Sequence, residues 1–198
     1  MSGAGDSRIP AFEAMTGVTD DGPPSSPKPL ADLGGPDLRL LLCGVNPSLR
    51  SAEVGLHFAR PGNRFWPALH LAGITPRRLA PAEQHELLAL GVGITNICAR
   101  PTRRADELTT GELLAGALAL EALVEEWRPG VVAIVGITAY RAALSRPRAV
   151  LGEQRERLGG RPLWVLPNPS GLNAHHRVED LARWYRAAWA AAGAAARA

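Results

Sequence analysis

Three stretches of this chain carry side chains suited to holding a flat, polar-edged ring beside phosphates. The first, Leu40-Leu41-Leu42-Cys43-Gly44-Val45-Asn46-Pro47-Ser48, is an apolar run that breaks into a polar turn, so an amide is delivered to the end of a strand. The second, Ala99-Arg100-Pro101-Thr102-Arg103-Arg104-Ala105-Asp106, puts three arginines and one carboxylate in a loop. The third, Leu163 to Leu172, repeats the first design: an apolar run, then Asn168-Pro169-Ser170, then the flexible Gly171 and an apolar Leu172. Phe58 stands alone as a large aromatic in a polar segment. Amides, an aromatic plate, arginines and a protruding apolar residue are what is needed to stack a planar ring, read its edge and hold phosphates.

Other chemistries lack their signatures. There is no glycine-rich dinucleotide fingerprint, no phosphate loop ending in Gly-Lys-Ser/Thr, and no Gly-x-Ser-x-Gly elbow. His175 and His176 are adjacent, so their side chains diverge, and no third ligand cluster accompanies them; no metal site is expected. Cys43 and Cys98 are the only cysteines, both inside apolar runs, and read as small buried side chains in a reducing compartment.

The elements that must position these groups follow from periodicity. Leu38–Leu42, Val92–Cys98, Val131–Val135 and Leu163–Leu166 read as strands. Between them, helices are expected from Asn63, which caps, to Gly73, which stops; over Pro81–Leu90; from the Thr109-x-x-Glu112 capping box to Trp127; and over Thr138–Leu144. Val178 to Ala192 closes the domain as an amphipathic helix. Leu49–Gly62 reads as loop and Arg146–Gly160 as an irregular charged insertion. The alternation implies an α/β three-layer sandwich with a central, mostly parallel four-stranded sheet flanked by helices. The loops after strands one, two and four then meet at one rim, where ligands of open α/β sheets bind.

With 198 residues, 46% hydrophobic and 21% charged, the chain is long enough for one well-buried core. Residues 1–35, rich in Gly, Pro, Ser and Asp, are read as a disordered tail, 36–193 as the domain and 194–198 as a fraying end. Net charge is +3 with a pI near 9.4, and Lys28 is the sole lysine; the arginine-rich bias favours phosphate partners, and genomic base composition is the other source of such a bias. No apolar run approaches the roughly 20 residues a membrane helix needs, and no signal-peptide core opens the chain, so an intracellular, cytoplasmic, monomeric protein is expected.

Gly44-Val45-Asn46-Pro47, Phe58-Ala59-x-Pro61-x-Asn63-Arg64-Phe65-Trp66, Gly93-Ile94-Thr95, Arg100-Pro101-Thr102 and Asn168-Pro169-Ser170-Gly171-Leu172 together resemble the mismatch-specific uracil/thymine-DNA glycosylases, over about Leu38–Ala190. The resemblance implies a monofunctional hydrolase of the uracil-DNA glycosylase fold. It flips uracil from DNA, often opposite guanine, and hydrolyses the base–sugar bond without metal or organic cofactor. It makes Asn46 the water-positioning amide, the Val45 and Phe58 backbones the readers of the pyrimidine edge, and the Phe58 ring the stacking plate. Ser51 falls where the family lines the pocket near the pyrimidine 5-position, and Gly171-Leu172 matches the wedge that fills the gap left by the extruded nucleotide.

Two positions depart from that pattern. Asp106 is not a family rule; it either assists Asn46 by activating water or stabilising positive charge on the sugar, or is a loop carboxylate paired with Arg103 or Arg104. Ala174 stands where some relatives carry an arginine that reads the widowed guanine, leaving Ser170, Asn173, His175 and Arg177 to contact DNA, so uracil opposite adenine or in single strands is also an expected substrate. Arg64 is read either as a DNA contact or as a solvated or capping residue. Two further readings stand beside the enzyme: a nucleic-acid or nucleotide-binding module without catalysis, and a hydrolase of free nucleosides.

Overall fold

The computed structural model describes residues 29–195. Five strands, β1 (Leu40–Gly44), β2 (Val92–Asn96), β3 (Val131–Val135), β4 (Gly152–Leu158) and β5 (Arg161–Leu166), form one sheet in the order β2-β1-β3-β5-β4. The first four in that order are parallel, and β4 runs antiparallel to β5 at the edge. The strands read from apolar runs are therefore present, and the sheet gains a fifth.

The apolar runs are continuous because both faces of the sheet are covered. Alternation sends Leu40, Leu42, Val92, Ile94, Val131 and Ala133 to one face, under α2 (Phe65–Leu71) and α6 (Val178–Ala195). Leu41, Cys43, Val132, Ile134, Leu163 and Val165 point to the other, under α4 (Thr110–Trp127) and α5 (Ile137–Ala143). Thr109 caps α4 as its spacing predicts: its Oγ1 accepts from the Glu112 N–H at 3.2 Å, and the Glu112 carboxylate accepts from the Thr109 N–H at 2.8 Å.

Three readings need correction. The 146–160 segment contains β4, whose two sides are both polar; Gly159 and Gly160, at φ 50° and 74°, form the two-residue turn that returns the chain into β5. Its exposed charges belong to an edge strand, where they discourage pairing with another chain. The 49–62 segment contains a short helix, α1 (Leu49–Val54), with Ser48 as N-cap and Gly55, at φ 68°, ending it; another short helix, α3 (Glu86–Ala89), precedes β2. Part of the segment read as tail is fastened to the sheet: the Leu33 N–H and C=O exchange hydrogen bonds with Ile94 at 2.8 and 2.7 Å, and Thr95 donates to Asp32 at 2.6 Å. Residues 1–28, Lys28 included, and 196–198 lie outside the described residues. Among the described residues no helix is long and apolar enough to cross a membrane.

The C-terminal ends of β1, β2, β3 and β5 lie at one rim of the sheet, since these strands are parallel. The 45–64, 97–109 and 167–177 segments are gathered there.

Candidate active site

Asn46 is placed by a zipper that continues beyond the sheet. Past the end of β1, the N–H groups of Ile97, Cys98 and Thr102 donate to the carbonyls of Gly44, Val45 and Pro47 at 2.9, 2.9 and 3.1 Å. The Asn46 amide thus faces the arginine-rich loop, and Nδ2 donates to the Arg100 carbonyl at 2.9 Å and to Thr102 Oγ1 at 2.7 Å. Both hydrogens of the amide nitrogen are satisfied, and the Arg100 carbonyl could not face an oxygen there, so the amide orientation is fixed and Oδ1 is the end left to accept from a water. Thr102 is buried, and its hydroxyl donates to the Arg104 carbonyl at 2.7 Å. Its oxygen is thereby left as the acceptor for Asn46. Thr102 is a holder of the site that no periodicity marks; the one signal is its place in Arg100-Pro101-Thr102.

The loop around Thr102 is itself anchored. The Arg100 guanidinium donates to both Glu112 oxygens at 2.5 and 3.0 Å and to the Glu107 carbonyl at 3.0 Å. The Arg100 contact, joined by the Thr109 N–H and hydroxyl, pushes the Glu112 carboxyl down to about 2. Asp106 lies in a short 3₁₀ turn, Ala105–Glu107, and its carboxylate is held bidentately by Arg104 at 2.6 and 3.1 Å with both side chains largely exposed. Of the two readings of Asp106, the structure displays the ion pair.

Phe58 has φ +50°, a backbone conformation that a bulky residue adopts only when its surroundings impose it. Ser51 is part of that imposition: its buried hydroxyl accepts from the Ala59 N–H at 3.1 Å and from the Ser48 hydroxyl at 3.0 Å. On the other side of Phe58, the N–H of buried His57 donates to Gln84 Oε1 at 2.8 Å, and His57 Nε2 lies 3.0 Å from the Ala31 carbonyl. Burial lowers the His57 pKa, which keeps the ring neutral and suits Nε2–H as the donor. The Phe58 ring stacks on Phe65 with centroids 3.8 Å apart and 13° between planes, so a planar ligand has the opposite face. Gly44 makes room for this: a Cβ there would lie 3.3 Å from Phe58 Cζ and 2.5 Å from Asn96 Oδ1. Val45 is buried with its carbonyl engaged by Cys98, which leaves any reading of a base edge there to its N–H. A cavity of about 380 Å³ opens against Phe58, Ala59 and Arg60, with Trp66, Arg78 and Leu79 among its other walls; Asn46 does not line it.

The 168–177 loop is a knot of side-chain turns. Asn168 Oδ1 accepts from the Ser170 N–H at 2.9 Å, Ser170 Oγ from the Leu172 N–H at 3.3 Å, and Asn173 Oδ1 from the His175 N–H at 3.0 Å. At its tip Leu172 is 67% exposed, an unusual state for a leucine tied so closely to ordered turns. Gly171 is exposed, and so are His175 and Arg177; the Arg177 N–H donates to Asp180 at 2.9 Å as α6 begins. Arg64 is neither solvated nor free for DNA: its guanidinium turns into this loop. Among the described residues no cluster of three or more His, Cys, Asp or Glu side chains could hold a metal ion.

The polar groups gather at the strand ends of a parallel sheet, where open α/β folds bind their ligands, and a family comparison supplies the class. The model of the uracil DNA glycosylase superfamily matches residues 31–193, and the chain belongs to that superfamily. It is a hydrolase of the DNA glycosylase type, with DNA as its substrate.

Proposed function

We propose that this protein is a monofunctional, mismatch-type uracil-DNA glycosylase that flips uracil out of DNA and hydrolyses its N-glycosidic bond in base-excision repair. The observation that carries the reading is Asn46, whose amide nitrogen is fixed by Arg100 and Thr102 so that its carbonyl oxygen is available to a water. Phe58 stacks the flipped base, the Val45 and Phe58 backbones meet its edge, and Ser51 holds the Phe58 turn in place. Leu172 enters the gap in the duplex, with Ser170, Gly171, Asn173, His175 and Arg177 along the DNA. As the bond from C1′ to the base nitrogen breaks, positive charge grows on the sugar and negative charge on the uracil; the water oxygen bonds to C1′, and the water's proton neutralises the departing base. An amide orients this water but is a poor proton acceptor, so turnover is slow. Lys28 precedes the domain, which disfavours a lysine Schiff-base route and a lyase activity.

Asp106 supplies the charge that Asn46 lacks. Thr102 links its turn directly to Asn46, and a DNA phosphate that draws Arg104 away leaves the carboxylate facing the developing positive charge. Asp106→Ala should slow the single-turnover step while DNA affinity holds or rises, since Arg104 is then free for phosphate; an unchanged rate would assign Asp106 to surface pairing alone.

Labelled DNA carrying uracil opposite guanine, opposite adenine or in a single strand, treated with alkali after incubation, tests the whole reading. Abasic cleavage is expected with all three, since Ala174 offers no hydrogen-bonding side chain to read the opposite guanine. Cleavage confined to the guanine mismatch would overturn the broad specificity. DNA binding with no abasic product would make the protein a binding module.

A further inference from the structure

Arg64 directs four hydrogen bonds at the 169–176 segment. Its N–H donates to the Pro169 carbonyl at 2.9 Å, one guanidinium nitrogen donates to the carbonyls of Ser170 at 2.6 Å and Asn173 at 2.7 Å, and the other donates to the carbonyl of His176. Carbonyl oxygens that converge in this way repel one another unless a cation sits among them, and charged donors make the stronger hydrogen bonds. Among the described residues no carboxylate pairs with Arg64, so the loop carbonyls are its counter-charge. The two segments also touch without side chains: a Cβ on Gly171 would lie 2.8 Å from the Gly62 carbonyl oxygen, an approach only glycine allows. The residue after Arg64 is Phe65, on which Phe58 stacks. One unbroken series of contacts therefore runs from the aromatic plate, through Phe65 and Arg64, to the loop that presents Leu172.

Resting on the glycosylase reading, we propose that Arg64 is a positioning residue that locks the wedge loop to the base-stacking plate, so that insertion of Leu172 and capture of the flipped base on Phe58 occur in fixed register. Arg64 touches neither base nor phosphate. Its work is confined to substrates in which a base must be driven out of a stack; a uracil already unpaired needs no wedge.

The test compares Arg64→Met, which keeps length and loses every side-chain donor, with Arg64→Lys, which keeps the charge but not the fork. Single-turnover uracil release is measured on a duplex and on the same sequence with the uracil in an unpaired bubble. Arg64→Met should lose about 10- to 100-fold on the duplex and less than about threefold on the bubble, with Arg64→Lys between it and the parent on the duplex. Equal losses on both substrates in a folded variant, or no loss on the duplex, would overturn the proposal. If Arg64→Met does not fold, the duplex-to-bubble ratio of Arg64→Lys decides by the same criterion. Tryptic cleavage after Arg177, read by mass spectrometry, reports on the loop without reference to activity: it should accelerate in both variants, and an unchanged rate counts against the lock. Should the parent protein release no uracil from either substrate, the glycosylase reading fails while this cleavage rate still decides whether Arg64 holds the loop.

Discussion

Replacing Thr102 with valine isolates the orientation of Asn46 from its presence. Valine has nearly the volume of threonine, so the buried site stays filled, and what is lost is the oxygen that accepts from Asn46 at 2.7 Å and donates to Arg104 at 2.7 Å. The amide keeps one anchor, the Arg100 carbonyl at 2.9 Å, which still opposes a full flip because it would face Oδ1 across a short distance. The variant therefore loses precision of aim and keeps the group. A net intramolecular hydrogen bond is worth about 0.5–1.5 kcal/mol. Expressed wholly at the transition state, that is a fall of about 2- to 12-fold in the single-turnover rate. DNA affinity should be nearly unchanged, because no DNA contact is removed. Thr102→Ser, which restores the hydroxyl, should recover most of the rate. Asn46→Ala should cost about 100-fold or more. The decisive measurement is the double variant: without Asn46 there is nothing for Thr102 to aim, so Thr102→Val should add no further loss. If the two losses multiply in full, Thr102 acts through the Asp106 turn it also holds, and its role in aiming Asn46 is refuted.

Three further outcomes follow from the surrounding structure. His57 is buried and neutral with its pKa lowered by burial, so its contribution to stability is complete above the unfolded value of about 6.5 and is lost as pH falls through its folded value; melting temperature should drop on acidification, and His57→Gln should flatten that drop in calorimetric scans. Glu112, held down to about 2 chiefly by Arg100, contributes above the usual carboxylate range near 4.3 and fails as pH falls towards 2; Glu112→Gln should slow uracil release at neutral pH, because the Arg100 carbonyl that holds Asn46 is then less firmly placed. Gly116 lies within α4 where a Cβ would come 2.2 Å from the Ile97 carbonyl oxygen, so Gly116→Ala, although favourable to an isolated helix, should destabilise by about 1–3 kcal/mol in urea titrations.

The parts of the fold legible in the sequence are those whose burial leaves a periodic trace. Leu40–Leu42 and Val131–Val135 are apolar without alternation because helices cover both faces of the sheet, and the Thr109-x-x-Glu112 spacing announces a helix start because two backbone donors are satisfied reciprocally. Where structure is made chiefly by backbone pairing, the trace fades. β4 pairs with β5 through main-chain groups while Glu153 to Arg157 remain polar on both sides and only Leu158 reaches the core, and Ala31–Leu33 join the domain through carbonyls, one N–H, a single aspartate and one buried side chain, Leu33, in a stretch whose composition reads as tail. α1 fits between a serine and a glycine, the residues that also punctuate loops.

The site divides along the same line. Asn46, Phe58 and Leu172 stand out because each is the wrong kind of residue for its setting: an amide ending a buried strand, an aromatic in a polar turn, and a leucine 67% exposed at a loop tip. Thr102 and Arg64 are the right kind of residue for theirs, a threonine and an arginine in polar segments, and so carry no signal beyond the motifs that contain them. Their partners are 56 and more than 100 residues away, and they act by satisfying another group's hydrogen bonds. A residue that would meet substrate can be suspected from local chemistry. One that fixes such a residue's orientation becomes visible only when the acceptors and donors around it are accounted for in three dimensions, because the constraint it obeys is that a polar group out of water must be paired, and the chain is free to place the partner anywhere along its length.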